Sequence, residues 1–124
     1  MTWEYLAGFF DGEGCIFYNE RNYGRRRYAL VNVTQGSVNE EKSHICRQIH
    51  VFLRSANIPC RLNTYPGRNG AHGGCKVVVS NAPGIIAWLE GMLPYLKVKR
   101  EDAILAIEFS KQTRPRVLDR RLAA

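Results

Sequence analysis

The chain has 124 residues, 45% of them hydrophobic, and a formal charge of +7 at neutral pH. This length suits one domain that buries its own core, the hydrophobic share argues against a disordered chain, and no apolar run approaches the ~20 residues of a membrane span. Trp3, Glu4 and Tyr5 stand where a secretory signal has its basic region and apolar stretch, so the expectation is an intracellular protein with no secretion signal and no membrane partner.

Thr2 is placed to cap a first helix, with Glu4 in its first turn. Trp3, Leu6, Ala7 and Phe10 share one face of that helix, and Tyr5, Gly8, Phe9 and Gly12 share another. Both faces are apolar, which predicts burial on two sides. One small domain offers a single core, so the second side calls for a partner surface. Residues 15–21 read as a strand, Asn22-Tyr23-Gly24 as a turn, and residues 26–35 as the returning strand. A long helix starting at 37–39 and running to about Ala56 carries Ile45, Ile49, Phe52 and Leu53 at helical spacing, and Asn57-Ile58-Pro59 stops it.

Residues 60–65 and 76–80 form a second strand pair, joined by a glycine-rich loop over 67–74. Asn81 caps a third helix that tolerates Pro83 in its first turn and ends at Pro94. A last helix spans about 99–111. Helix, hairpin, helix, hairpin, helix and helix define an α+β layer: a four-stranded antiparallel sheet with helices on one face and the other face open.

Alternation assigns side chains to the open face. Phe17, Asn19 and Arg21 oppose Ile16 and Tyr18, while Arg26, Tyr28, Leu30 and Asn32 oppose Ala29, Val31 and Val33. In the second pair Arg61, Asn63, Tyr65 and Lys76 fall on the polar side. With Arg25 in the turn segment, these residues make a basic surface without a matching acid. Arginine reads guanine, asparagine reads adenine, and a β-ribbon fits the major groove, so the expected partner is double-stranded DNA. The basic tail with Arg114, Arg116, Arg120 and Arg121 reads as a solvated run. Cys15, Cys46, Cys60 and Cys75 lack the close pairing of a zinc site, and in an intracellular protein they read as small buried thiols.

The stretch Leu6-Ala7-Gly8-Phe9-Phe10-Asp11-Gly12-Glu13-Gly14 resembles the signature of the LAGLIDADG homing endonucleases, and the order of elements matches their αββαββα fold, with its saddle-shaped sheet. The resemblance covers nearly the whole chain, residues 1–124, as a single endonuclease domain. One motif is present, which in this family implies a homodimer. Gly8 and Gly12, four apart, leave one flank without side chains, so two helices could cross near backbone contact, with Tyr5 and Phe9 beside them. A two-fold axis would bring one Glu13 from each subunit together.

By resemblance, Glu13 is the metal ligand, joined by the Gly12 carbonyl, and the metal is magnesium, with manganese or calcium able to occupy the same site. No small-molecule cofactor is implied. Asp11 reads as mainly structural. Gln35, which ends the second strand, matches a residue that orders active-site water, and Lys99 in Pro94-Tyr95-Leu96-Lys97-Val98-Lys99 matches a lysine that stabilises transition-state charge. After Gln35 the run Gly36-Ser37-Val38-Asn39-Glu40-Glu41 lacks the basic residue of some relatives, leaving Arg100, another base or the metal to serve. The implied activity is a double-strand break with 3′ overhangs at a long, near-palindromic site. The alternative is a catalytically silent protein of the same fold, an RNA-splicing maturase or DNA-binding regulator.

Overall fold

The computed structural model describes residues 1–19, 28–37, 40–67 and 73–112. Helix α1 (Trp3–Glu13) starts at Thr2, whose Oγ1 accepts the Tyr5 amide at 3.1 Å. It ends where Gly14 turns to extended backbone (φ −83°, ψ 159°). A Cβ on Gly14 would run into the Phe10 ring, so this glycine is needed for close packing. Gly14 opens strand β1 (Gly14–Asn19), which pairs antiparallel with β2 (Tyr28–Ser37), Gly14 opposite Val33 and Asn19 opposite Tyr28.

Helix α2 (Glu40–Ser55) ends in a left-handed Asn57 (φ 62°). The Ile58 and Asn57 amides return to the carbonyls of Leu53 and Arg54 at 2.9 and 3.0 Å, so the last turn is closed from within. Strands β3 (Arg61–Tyr65) and β4 (Gly73–Val79) follow, and β4 inserts between β2 and β3 to give the order β1-β2-β4-β3. Helix α3 (Ala82–Met92) is capped by Asn81, whose Oδ1 accepts the Gly84 amide at 2.6 Å. A 3-10 turn over Leu93–Tyr95 leads to helix α4 (Arg100–Gln112).

The architecture is the expected α+β layer, with its boundaries corrected at two strands. Gly73 and Gly74 belong to β4 rather than to the glycine-rich loop, because they pair with Ser37 and Gly36 of β2, and Gly74 also with Tyr65 of β3. The Tyr65 ring lies over Gly74, where a Cβ would sit 2.6 Å from its hydroxyl. That extra ladder carries β2 on to Ser37, so Gln35 is interior to the strand instead of its last residue. Residues 68–72 lie outside the described residues, as does the basic tail from 113.

The core lies between the sheet and the helices. Val31, Val33, Val77 and Val79 meet Leu6 and Phe10 of α1, Ile49 and Leu53 of α2, Trp88 and Leu89 of α3, and Ala106 and Phe109 of α4. The Phe10 and Trp88 rings cross edge to face, centroids 5.7 Å apart. Trp88 Nε1 and the Ser110 hydroxyl are buried and find no hydrogen-bond partner among the described residues. Among the described residues no helix is long and apolar enough to cross a membrane.

One expectation fails in the core. Cys46 and Cys75 are joined as a disulfide between α2 and β4 and are not separate thiols, because helix-on-sheet packing sets their Cα atoms 6.3 Å apart, within bridging range. Cys15 and Cys60 are free. The bridge closes a loop of sequence separation 29. Reduction, or Cys75→Ala, is expected to lower unfolding stability by about 3–4 kcal/mol, the chain-entropy value for such a loop, measured as a shift in the urea midpoint with and without reductant. An unchanged midpoint would show that the bridge adds nothing.

Candidate functional site

Asp11 sits in the last turn of α1, and its carboxylate reaches the chain 86 to 88 residues further on. Oδ2 accepts the Lys97 amide at 2.8 Å, and Oδ1 accepts those of Val98 and Lys99 at 3.1 and 3.0 Å. These three amides lead directly into α4, where a negative charge also suits the helix dipole. Asp11 is therefore structural, and its oxygens are already engaged. Lys99 completes the junction: its Nζ donates to the Asp11 main-chain carbonyl at 2.7 Å. Two residues after Asp11, Glu13 stands exposed where α1 gives way to β1. Residues far apart in the chain, Glu13 and Lys99, are thus brought to the same end of α1.

Gln35 shares the parity of Val31 and Val33 on β2, pairs across the ladder with Cys75, and donates from Nε2 to the Gly36 carbonyl at 3.1 Å. It lies one residue past the point where the β1–β2 register would set a partner for Glu13. Arg100, a possible stand-in for the missing base, donates to the Leu93 carbonyl at 3.0 Å and lines a groove with Pro94, Ile104 and Glu108. Lys99 is the base brought to the motif.

The second flank of α1 is open. Gly8 and Gly12 are exposed, Tyr5 is 57% exposed and Phe9 half-buried. A Cβ added at Gly8 or Gly12 would meet nothing within 4 Å, in contrast to Gly14 and to Gly91, where it would lie 2.7 Å from the Trp3 indole. Packing among the described residues explains Gly14 and Gly91 but gives no reason for Gly8 and Gly12. In a helix each of these costs about 1 kcal/mol relative to alanine.

The sheet face away from the helices is built in cross-strand rows. Asn19 pairs with Tyr28, and Phe17 with Leu30. Cys15, Asn32, Val78 and Arg61 form the next row; Thr34, Lys76 and Asn63 the one beyond; Gly36, Gly74 and Tyr65 the last. Among the described residues of these rows there is no acid, while Arg61 and Lys76 are basic. The Asn32 amide oxygen accepts the Thr34 hydroxyl at 3.4 Å. Arg21, Arg25 and Arg26 lie outside the described residues. Free Cys15 is exposed on this face, whereas burial pushes the Cys60 thiol up in pKa despite nearby Arg54.

For a divalent metal, one chain offers an incomplete ligand set. Among the described residues no group of three or more His, Cys, Asp or Glu could hold a metal. Asp11 is committed to backbone amides, so the chain offers Glu13 and, beside it, the exposed Gly12. Such a donor pair fits a hydrated, oxygen-seeking ion of the magnesium type only where a second chain or phosphate oxygens supply the remainder.

The fold is the homing-endonuclease fold. Among solved structures, the chain is similar to the homing endonuclease I-CvuI in complex with its target in the presence of calcium, with a TM-score of 0.68 at 24% identity. It is likewise similar to I-CvuI in complex with the I-CreI target in the presence of magnesium, with the DNA not cleaved (TM-score 0.67, 24% identity). These matches cover 88% and 89% of this chain but 65% and 66% of the other, so the chain spans about two thirds of the length of these neighbours. No family model matches the chain, and neither does any curated protein.

Asp11→Ala removes the acceptor for three amides and is expected to cost about 2 kcal/mol, the upper range for a helix-capping side chain. Urea unfolding measures it, with Asp11→Asn as an intermediate case. A loss below about 0.5 kcal/mol would refute the structural role given to Asp11.

Proposed function

We propose that the chain is a LAGLIDADG homing endonuclease acting as a homodimer, which hydrolyses phosphodiester bonds of double-stranded DNA at a long, near-palindromic site and leaves 3′ overhangs. The observation that carries this reading is the α1 flank: two glycines without an intrachain reason run alongside apolar side chains and lead to an exposed Glu13. A second α1 crossing at Gly8 and Gly12, beside Tyr5 and Phe9, would bury that flank and set the two Glu13 side chains side by side. The likeness to structures of I-CvuI in complex with its DNA target supports DNA as the partner, and the basic, acid-free rows of the open sheet face are the surface suited to it.

In this reading Arg61 and Lys76 neutralise phosphates, while Asn19, Asn32, Asn63 and Tyr65 present hydrogen-bonding groups to base edges. A divalent cation held by Glu13 and the Gly12 carbonyl supplies Lewis acidity at the scissile phosphate when bound. Lys99 uses one ammonium proton on the Asp11 carbonyl and keeps two to meet charge developing on the phosphoryl oxygens. Gln35, with Nε2 held by Gly36, has its amide oxygen left to order a water.

The test is cleavage of a randomised palindromic duplex library in magnesium. Glu13→Gln is expected to lower cleavage by more than about a hundredfold, as loss of a group that stabilises the transition state does, while duplex retention persists. Wild-type protein that retains duplex but cuts nothing would favour the binding-module alternative. Retention is also expected to fall steeply with salt, and Arg61→Ala to reduce the slope by about one.

Gly8→Ala separates assembly from folding. Because a Cβ there meets nothing, the isolated subunit is expected to gain up to about 1 kcal/mol in urea unfolding, while sedimentation shows the dimer weakened and cleavage lost. A variant that still dimerises and cuts as well as wild type would sink the proposed interface.

A further inference from the structure

The open sheet face changes character along its length. Near Glu13 its rows are polar or basic, with Thr34, Lys76 and Asn63, then Asn32 and Arg61. Further out it becomes aromatic and aliphatic. Phe17 of β1 and Tyr28 of β2 are 46% and 48% exposed, and their rings meet at 5.5 Å with planes tilted by 34°. Leu30, directly opposite Phe17, lies half-buried on the same face. None of the three belongs to the core cluster or packs against it. Folding therefore leaves an apolar patch on the surface whose charge suits a polyanion.

We infer that Phe17, flanked by Tyr28 and Leu30, is a specificity-determining contact for the 5-methyl group of thymine in the major groove. The inference rests on the proposed DNA-binding function and names what this end of the surface reads. The thymine methyl is the apolar feature that the major-groove edges of unmodified base pairs display, and phenylalanine is a side chain suited to it. The ring geometry argues against the other use of surface aromatics, stacking on an unpaired base. Phe17 and Tyr28 already pack against each other at a normal aromatic contact distance, leaving no slot between them for a base. What they offer outward is a shallow apolar surface of a size that a methyl group can meet.

The same ladder gives the position. Phe17 is four residues from Glu13, about 13 Å along an extended strand at ~3.3 Å per residue. With ~3.4 Å per base step along a strand, a ribbon following the groove sets the contact about four base pairs outward from the scissile phosphate in each half-site. Asn32 falls between and Asn19 lies beyond, so hydrogen-bond readout flanks the methyl contact on both sides.

The experiment is site selection by the full chain from a randomised duplex library, with calcium replacing magnesium so that binding is read without cleavage. Thymine enrichment is expected about four base pairs outward from the cut position mapped in magnesium. Replacing that thymine by deoxyuridine, which pairs identically but lacks the methyl group, should weaken binding about fourfold, the value of one buried methyl. Phe17→Ala should bind the thymine and deoxyuridine duplexes equally. Phe17→Leu, which keeps an apolar contact, should retain most of the difference.

If selected sites show no thymine there, or deoxyuridine binds as well as thymine to wild type, the inference is overturned while duplex binding stands. A preference for single strands or RNA hairpins that depends on Phe17 also overturns it, in favour of stacking. If no nucleic acid is retained at all, the proposed function falls and the methyl contact with it.

Discussion

The Asp11 carboxylate is the constraint on which the site depends. Three amides that open the way into α4 converge on its two oxygens, and Lys99 returns a bond to the carbonyl of the same residue. One side chain thereby fixes where α4 begins, how it approaches α1, and where a lysine ammonium stands relative to Glu13. A buried apolar contact could hold the two helices together, but it would not fix their relative register so closely. Directional hydrogen bonds to an ionised acceptor combine strength with geometry. The two acids of the motif are not interchangeable: Asp11 organises the chain, and Glu13 is left exposed.

A similar division runs through the glycines. Gly14 and Gly91 are small because the Phe10 ring and the Trp3 indole occupy the space a side chain would need. Gly8 and Gly12 face open space. Within the folded chain they are a cost without return, and the proposed crossing of a second α1 beside Tyr5 and Phe9 is what would give that cost a use. The sheet makes the complementary point from its far side, with polar rows close to Glu13 and an aromatic end beyond.

Much of this was legible in the sequence because alternation and helical periodicity are local. Val31 and Val33 against Asn32 and Thr34, or Leu6 and Phe10 against Gly8 and Gly12, declare their faces without knowledge of the fold. What escaped was non-local. Nothing near Asp11 in sequence indicates that its partners lie past residue 96, although its position at a helix end hinted at a structural role. The disulfide required knowing that β4 lies beside β2 and beneath α2, which brings Cys75 to Cys46. Gly73 and Gly74 looked like loop because strand propensity is poor for glycine. They are strand because β2 and Tyr65 supply partners on both sides.

Trp88 and Ser110 carry a different consequence. Each holds a buried polar atom that finds no partner among the described residues, on α3 and α4, and the Trp88 ring packs directly against Phe10 of the motif. An unpaired buried group of this kind costs on the order of 1–3 kcal/mol. The molecule thus keeps its reserve of improvable stability on the side of the core remote from the open sheet face. Stability can therefore be adjusted at Ser110 on the helix side of the sheet, whereas a change at Trp88 would be felt at Phe10 within the motif.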